Sequence, residues 1–364
     1  MFAYCLLLAV PFFVAAVLRG LKQTYRLKEI PYQDKIMAVF FLMYFLLLVL
    51  RSPSVGADVR RYLYKFNGSA DMSMLEYVRE SSWELGFDVL TKIIRWFTSS
   101  QRIFLTVLAA LALWPLARFY SKESEDPVLS IAIFVVLPMF AMFFSGLRQA
   151  ISMAMVVPAY RFVREKKLFF FLLVVLLASL FHSSAVVMVL IYPVYYANWT
   201  KRDLLWLIPG ILIAYIFNGV IFRVALRFLF TDSTEVIKSM GSTGAVNMLI
   251  FFSLFLIFSY VFLDKKQADR ETMGLRNILV LSVVIQCFAG VHTLVMRLNY
   301  YFLLFLPLLI PRVIRRTAGS KRGLAKFAGV VICLFCVFYF LRQVYNQDSI
   351  LDIYPYIPFW KDTI

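Results

Sequence analysis

Long, unbroken apolar runs decide what this chain can fold into. Windows near 2–19, 34–50, 101–118, 127–144, 149–163, 168–181, 184–197, 204–218, 247–263, 277–291, 298–311 and 325–341 are nearly free of charge. A bilayer crossing needs ~20 mostly apolar residues, and only helices and closed barrels satisfy their backbone in lipid. Barrel strands alternate over short segments, whereas here Phe and Leu run continuously. Charged residues make up 16% of the chain, against ~25% in a soluble domain. The expectation is an all-α polytopic membrane protein of about 12 transmembrane helices, folded as one domain over residues 1–364. Windows 168–181 and 184–197 are short for a crossing and suit a re-entrant pair.

Orientation follows from Lys and Arg in the connections. The connections 19–33, 118–126, 161–167, 198–203, 264–276 and 312–326 hold 22 basic residues in 65 positions. The opposite set (51–102, 145–148, 219–246, 292–297 and the tail 342–364) holds 15 in 113. The denser set is expected in the cytoplasm. Most of the +17 net charge is then topology plus contact with anionic lipid headgroups. Basic residues spread over six short loops argue against a nucleic-acid partner. The N-terminus has no leading positive charges and its basic residues follow the apolar run, so 2–19 reads as a retained span whose start faces outward.

The outer face holds the polar groups. In loop 51–102, Ser81 and Glu84 have capping-box spacing. Phe87, Leu90, Ile93, Ile94 and Phe97 then recur at helical spacing while Asp88, Lys92 and Arg95 fall elsewhere. This predicts an amphipathic helix on the membrane or over the bundle mouth. Loop 219–246 has a weaker helical start at Val220–Phe230. The tail segment Tyr354-Pro355-Tyr356-Ile357-Pro358-Phe359-Trp360 suits an ordered aromatic stretch at the interface.

Candidate groups gather at helix ends on this face: Arg51 and Asp58 to Tyr64, Arg148-Gln149, His182-Ser183-Ser184, and His292 with Arg297. Charge at such depth usually faces a cavity or a partner. Arg51, Arg60 and Arg61 also suit snorkelling to headgroups, Asp58 a structural pair with Arg60 or Arg61, and Glu84 a cap for Ser81. A lone His182 or His292 is commonly a satisfied core imidazole. Arg148, between Phe143, Phe144, Ala150 and Ile151, is harder to place without a ligand. Arginines grip a diphosphate bidentately, and Tyr62, Tyr64, Tyr300 and Tyr301 offer flat faces and hydroxyls to sugar rings. Neither His has a carboxylate at ligand spacing, and Cys5, Cys287, Cys333 and Cys336 read as apolar core residues, so no metal is expected. Asn67-Gly-Ser and Asn198-Trp-Thr match a glycosylation pattern that recurs by chance. No Walker loop or dinucleotide fingerprint appears, so no cofactor is expected and the substrate must carry its own activation.

The motif order is Gly56-x-Asp58-x-x-x-Tyr62, Glu84-x-Gly86-Phe87, Gly146-Leu147-Arg148-Gln149-Ala150-Ile151, Phe181-His182-Ser183-Ser184 and Arg297-x-x-Tyr300-Tyr301. Over nearly the full chain this resembles the EpsG family of Wzy-type bacterial polysaccharide polymerases. Ala57 stands where that pattern expects Thr or Ser. The resemblance implies a multi-pass inner-membrane enzyme with a bundle akin to the GT-C-like membrane glycosyltransferases, its active site facing the periplasm. Its substrates would be undecaprenyl-diphosphate-linked oligosaccharides as donor and acceptor, building O-antigen, capsule or exopolysaccharide. Membrane lipids are its surroundings, and a chain-length regulator is a partner it would admit. His182 and Asp58 become rival bases with Glu84 beside them. Arg148 and Arg297, with Arg51 or Arg60, become the diphosphate ligands. Two other classes stay open. A lipid-linked oligosaccharide flippase would need polar residues along its spans. A membrane acyltransferase acting on surface glycan would turn its His and Arg toward the cytoplasm.

Overall fold

A computed structural model of the chain describes residues 1–25, 32–199, 201–229, 245–263, 268–348 and 351–361. Helices dominate these residues and no β-strand occurs among them. Among the described residues six helices are long and apolar enough to cross a membrane, or up to eight if each of two bent pairs counts as one span. The twelve apolar windows thus resolve into fewer candidate crossings, because several are short helices (Leu168–Ser179, Ser183–Tyr196) or halves of a bent pair. The chain forms two compact units, Met1–Val186 with Ala328–Ile364, and Val187–Phe327.

The first unit contains α1 (Phe2–Tyr25), α2 (Tyr32–Leu50), α3 (Val59–Gly68), α4 (Met74–Glu80), α5 (Leu85–Phe97), α6 (Gln101–Glu123), α7 (Pro127–Val136), α8 (Pro138–Ser145), α9 (Leu147–Val156), α10 (Tyr160–Arg164) and α11 (Leu168–Ser179). Helix α2 packs between α1 and α6, α9 packs on α6, and α11 on α9. Between α7 and α8 the chain bends by 70°. Pro138 has no N–H to continue the ladder, and the Tyr44 hydroxyl donates to the Phe140 carbonyl just beyond the break, at 2.6 Å. Phe40, Phe41, Tyr44, Tyr120, Phe134, Phe140, Phe143 and Phe144 interlock around this bend, mostly edge to face, with Tyr44 stacked on Phe140. Such pairs add ~0.5–1.5 kcal/mol each beyond burial, which makes the turn entering α9 a rigid base.

The loop 51–100 is folded rather than trailing. Helix α5 forms where expected, and its apolar stripe divides, Phe87 and Ile94 turning inward and Ile93 and Phe97 outward. Asp88, Thr91 and Lys92 are buried beside Phe87 and Ile94, while Leu85, Ile93, Trp96 (64% exposed) and Phe97 (84% exposed) point outward. Here the protein side supplies the polar partners: Lys92 Nζ donates to the carbonyls of Ser69 and Met72. An outward apolar stripe of Trp and Phe is the pattern of a helix set against lipid. The capping box also differs. It forms at Ser73 and Glu76, opening α4, whereas Ser81 closes α4 and Glu84 is itself the residue before α5, with no side-chain cap bond.

The tail folds back on the first unit. Asp352 and Leu351 carbonyls accept from the Gly56 and Ala57 N–H groups at 2.9 and 3.0 Å, and Ile357 accepts from Ser52 at 2.8 Å. Tyr4 and Tyr356 hydroxyls donate to Ile353 and Leu47 carbonyls, and the Arg102 guanidinium lies 3.1 Å over the Phe359 ring.

The second unit gathers around one helix. Its elements are α12 (Ile191–Tyr196), α13 (Lys201–Ile216), α14 (Asn218–Leu229), α15 (Ala245–Phe262), α16 (Arg270–Ala289), α17 (Thr293–Leu303) and α18 (Leu306–Arg316). All but α16 itself touch α16. Helix α19 (Lys321–Asn346) leads from this unit back to the first. The spans here are not purely apolar: Ser282 donates to Asn299 at 2.7 Å, Asn299 to Gln286 at 2.8 Å, and Gln286 to the Ala245 carbonyl at 3.3 Å. The helical start expected at Val220–Phe230 falls on α14 as far as Leu229, and Phe230, Asp232 and Glu235 lie outside the described residues.

Candidate functional site

Four of the five motifs meet in the first unit, and close backbone approach accounts for two of their glycines, Gly56 and Gly86. Gly56 has φ +106, and a Cβ there would sit 2.4 Å from the Phe144 carbonyl oxygen. Only glycine tolerates both. The next turn carries Asp58, whose N–H donates to Ser145 Oγ at 3.1 Å while Ser145 Oγ donates back to Asp58 Oδ2 at 3.2 Å. Asp58 is therefore bound to the end of α8, two residues before the Leu147 start of α9. At Gly146 a Cβ would crowd the Met142 side chain. At Gly86 it would meet the Leu180 carbonyl oxygen at 2.8 Å, and the Gly86 N–H donates to that same oxygen at 2.7 Å. This close approach brings Glu84 against His182.

Glu84 is the centre of the cluster. Its Oε1 lies 3.0 Å from His182 Nδ1 and accepts from the Ser183 N–H at 3.1 Å. Its Oε2 pairs with Arg148 Nη1. All three side chains are about one-fifth exposed, so the cluster is shielded yet reachable. Burial pushes the Glu84 carboxyl up, but hydrogen bonds from His182 and Ser183 and the charge of Arg148 outweigh it and hold it at about 2. An ionised Glu84 accepts a hydrogen bond from the Nδ1–H of a neutral imidazole, a tautomer whose lone pair lies on Nε2. Among the described residues nothing hydrogen-bonds His182 Nε2.

Aromatic residues wall the cluster. Tyr62, Trp83 and Phe87 pack with ring centroids 5.0–5.5 Å apart. The Tyr62 hydroxyl accepts from the Arg148 N–H at 3.5 Å. Behind Glu84, one turn along α5, Asp88 is fully buried, and neither of its oxygens has a hydrogen-bond partner. Burial raises its carboxyl, against the pull of Ser81, Lys65 and Arg148. Among the described residues no three His, Cys, Asp or Glu side chains gather as metal ligands would.

The other sequence candidates fall elsewhere. Arg51 is 3% exposed, sealed beneath the tail with its guanidinium 5.5 Å from the Phe144 ring. Arg60 and Tyr64 are exposed on α3, and Gln149 is buried on α9. His292, Arg297, Tyr300 and Tyr301 belong to the second unit. There His292 caps α17, accepting from the Leu294 N–H at 3.0 Å, and Tyr300 and Tyr301 are buried on that helix. Sequence reasoning missed Trp83, Lys65, Ser145 and Asp88. Their signal was present only as proximity in the chain to Glu84 and Arg148.

A chain whose described residues are helical, with several bilayer-length apolar helices among them, is a polytopic membrane protein, and its polar cluster lies at the starts of α5 and α9 and just after α11. Comparison with curated proteins and with solved structures returns no match. A family model does: residues 35–357 match that of the EpsG family. The chain belongs to the EpsG family, a family of Wzy-like polysaccharide polymerases.

Proposed function

We propose that this protein transfers a growing glycan from undecaprenyl diphosphate to the sugar of a lipid-linked repeat unit, at the periplasmic face of a bacterial inner membrane. The observation that carries this reading is the Glu84–His182 pair, with Nδ1 committed to the carboxylate and Nε2 left for a substrate hydroxyl. The Lys/Arg asymmetry of the connections supports a periplasmic site.

His182 Nε2 takes the proton of the acceptor hydroxyl as its oxygen attacks the anomeric carbon. The bond from that carbon to the diphosphate oxygen breaks, and the electron pair leaves with the diphosphate. Glu84 holds the imidazole in the reactive tautomer and offsets the imidazolium charge that develops. Arg148 offsets charge on the leaving group. One attack on the anomeric carbon inverts its configuration. Asp58, tied to Ser145, positions the turn that carries Arg148 rather than acting as the base.

Purified protein supplied with lipid-linked repeat unit tests this. His182→Gln is expected to lose ~10²–10⁴ in rate, and Arg148→Lys most of its activity, because an ammonium lacks the bidentate fork. Normal polymer from folded His182→Gln would overturn the assignment of the base.

A further inference from the structure

The indole of Trp83 is met by three cations at once. Lys65 Nζ and the Arg148 guanidinium each lie 4.8 Å from its ring centroid, and Arg61 lies 5.8 Å away. A single cation–π contact explains one such neighbour; three cations around one ring repel each other and need negative charge to balance them. The protein supplies little. Glu84 serves Arg148, His182 and Ser183 and pairs with neither Lys65 nor Arg61. Lys65 Nζ reaches only the Ser81 hydroxyl, at 3.1 Å. Neither Lys65 nor Arg61 has a carboxylate at ion-pair distance among the described residues, and Asp88 makes no ion pair. Two N–H donors at the same place are also unsatisfied: Trp83 Nε1 and Arg148 Nε are buried with no partner. Orphaned buried donors beside surplus positive charge are what an absent anion leaves behind.

We infer that Trp83, Lys65 and Arg61 complete, with Arg148, a cradle for the leaving diphosphate of the lipid-linked donor. This rests on the polymerase reading and deepens it. Three cations face two carboxylates, Glu84 and the buried Asp88 on which Lys65 and Arg148 act, so positive charge stays in excess and suits an anionic group. The cradle adjoins His182 through Glu84, so the group that must be stabilised as it departs and the base that takes the proton share one side of the first unit. Lys65 and Trp83 are assigned here as binding residues.

Both substrates carry a lipid diphosphate, and kinetics separate the two sources. The test uses the full chain in nanodiscs, with purified lipid-linked repeat unit as substrate and undecaprenyl diphosphate as product inhibitor. Lys65→Gln is expected to lower kcat by ~10–100-fold, since it removes charge stabilisation at the leaving group. Product inhibition should weaken by a similar factor, and Lys65→Arg should restore most of both. Trp83→Phe, which keeps a ring but loses the indole N–H, should weaken product binding more mildly. A Lys65→Gln protein that elutes and melts as wild type but shows only a raised KM, or unchanged inhibition, would overturn the cradle. Wild-type protein that binds undecaprenyl diphosphate through Lys65 yet makes no polymer would instead sink the polymerase reading and leave the cradle standing.

Discussion

Replacing Glu84 by Gln keeps the shape of the side chain and removes its charge, so it isolates what the carboxylate contributes. In the folded protein the surroundings hold this carboxyl at about 2, against an ordinary value of 4.5. At ~1.4 kcal/mol per unit, the fold prefers the ionised form by about 3 kcal/mol, as an order of magnitude. The amide cannot match this, since its NH₂ must face either the Arg148 guanidinium or the His182 Nδ1–H, donor against donor. A stability loss of ~2–3 kcal/mol is expected. The rate should fall by ~10²–10⁴, because the imidazole loses both its tautomer control and the charge that stabilises its protonated form. The pH dependence separates the two effects. A depressed carboxyl stabilises the fold fully above about 4.5 and loses that contribution as pH falls toward about 2. The melting-temperature gap between wild type and Glu84→Gln should therefore stay constant from pH 6 to 8, on the order of several degrees, and close on acidification below the ordinary carboxyl range. Initial rates with purified lipid-linked repeat unit, with melting curves on the same samples, read both. A variant that polymerises within a few-fold of wild type, or a gap that stays open in acid, would refute the central role given to this carboxylate.

Three further expectations follow from packing, burial and charge. Gly86→Ala places a methyl 2.8 Å from the Leu180 carbonyl oxygen, so Glu84 and His182 must separate; a cost of ~1–3 kcal/mol and a large loss of polymerisation are expected, and wild-type values in both assays would argue against a fixed Glu84–His182 geometry. Burial raises the Asp88 carboxyl, so its ionisation opposes folding at high pH; Asp88→Asn should melt at or above the wild-type temperature at pH 8, and the difference should vanish in acid where Asp88 is protonated. A markedly lower melting point for Asp88→Asn at pH 8 would contradict this. Glu165, exposed beyond α10, is expected in the cytoplasm; Glu165→Cys should resist a membrane-impermeant thiol reagent in intact cells, and labelling there would reverse the topology.

The motifs were legible because each has a local cause. Gly56 and Gly86 mark places where backbone touches backbone, Arg148 is a cation in a tight turn, and His182 interrupts an apolar run. Their convergence in one unit could be expected from order alone. The roles of Trp83 and Lys65 could not. They depend on how α3 and α5 lie against each other, and Lys65 meets Ser81 across 16 positions while Arg148 meets Glu84 across 64. The helix at α5 was readable from its period, but the burial of Asp88, Thr91 and Lys92 was not, because the Ser69 and Met72 carbonyls that Lys92 meets lie elsewhere in the loop. The pattern Ser-x-x-Glu occurs at both Ser73 and Ser81, and only the first has a free helix start to cap. Arg297 and its tyrosines belong to the second unit, where His292 serves as a cap; the sequence offered no way to tell a capping imidazole from a reactive one.

The clamp between the tail and the Asp58 loop has a consequence for how the protein is made. The Tyr356 hydroxyl reaches the Leu47 carbonyl across 309 positions of chain, and the Gly56 and Ala57 N–H groups take their partners from the same tail. A ribosome adds ~5–20 residues per second. The loop beside Asp58 therefore stands without its backing for about 15–60 seconds after it emerges. During that interval its amide groups can be satisfied only by water, so this corner must stay at the wet edge of the bilayer until the tail arrives. The site is thus finished in order of synthesis, with the Asp58 loop closed by a segment made about 300 positions after it.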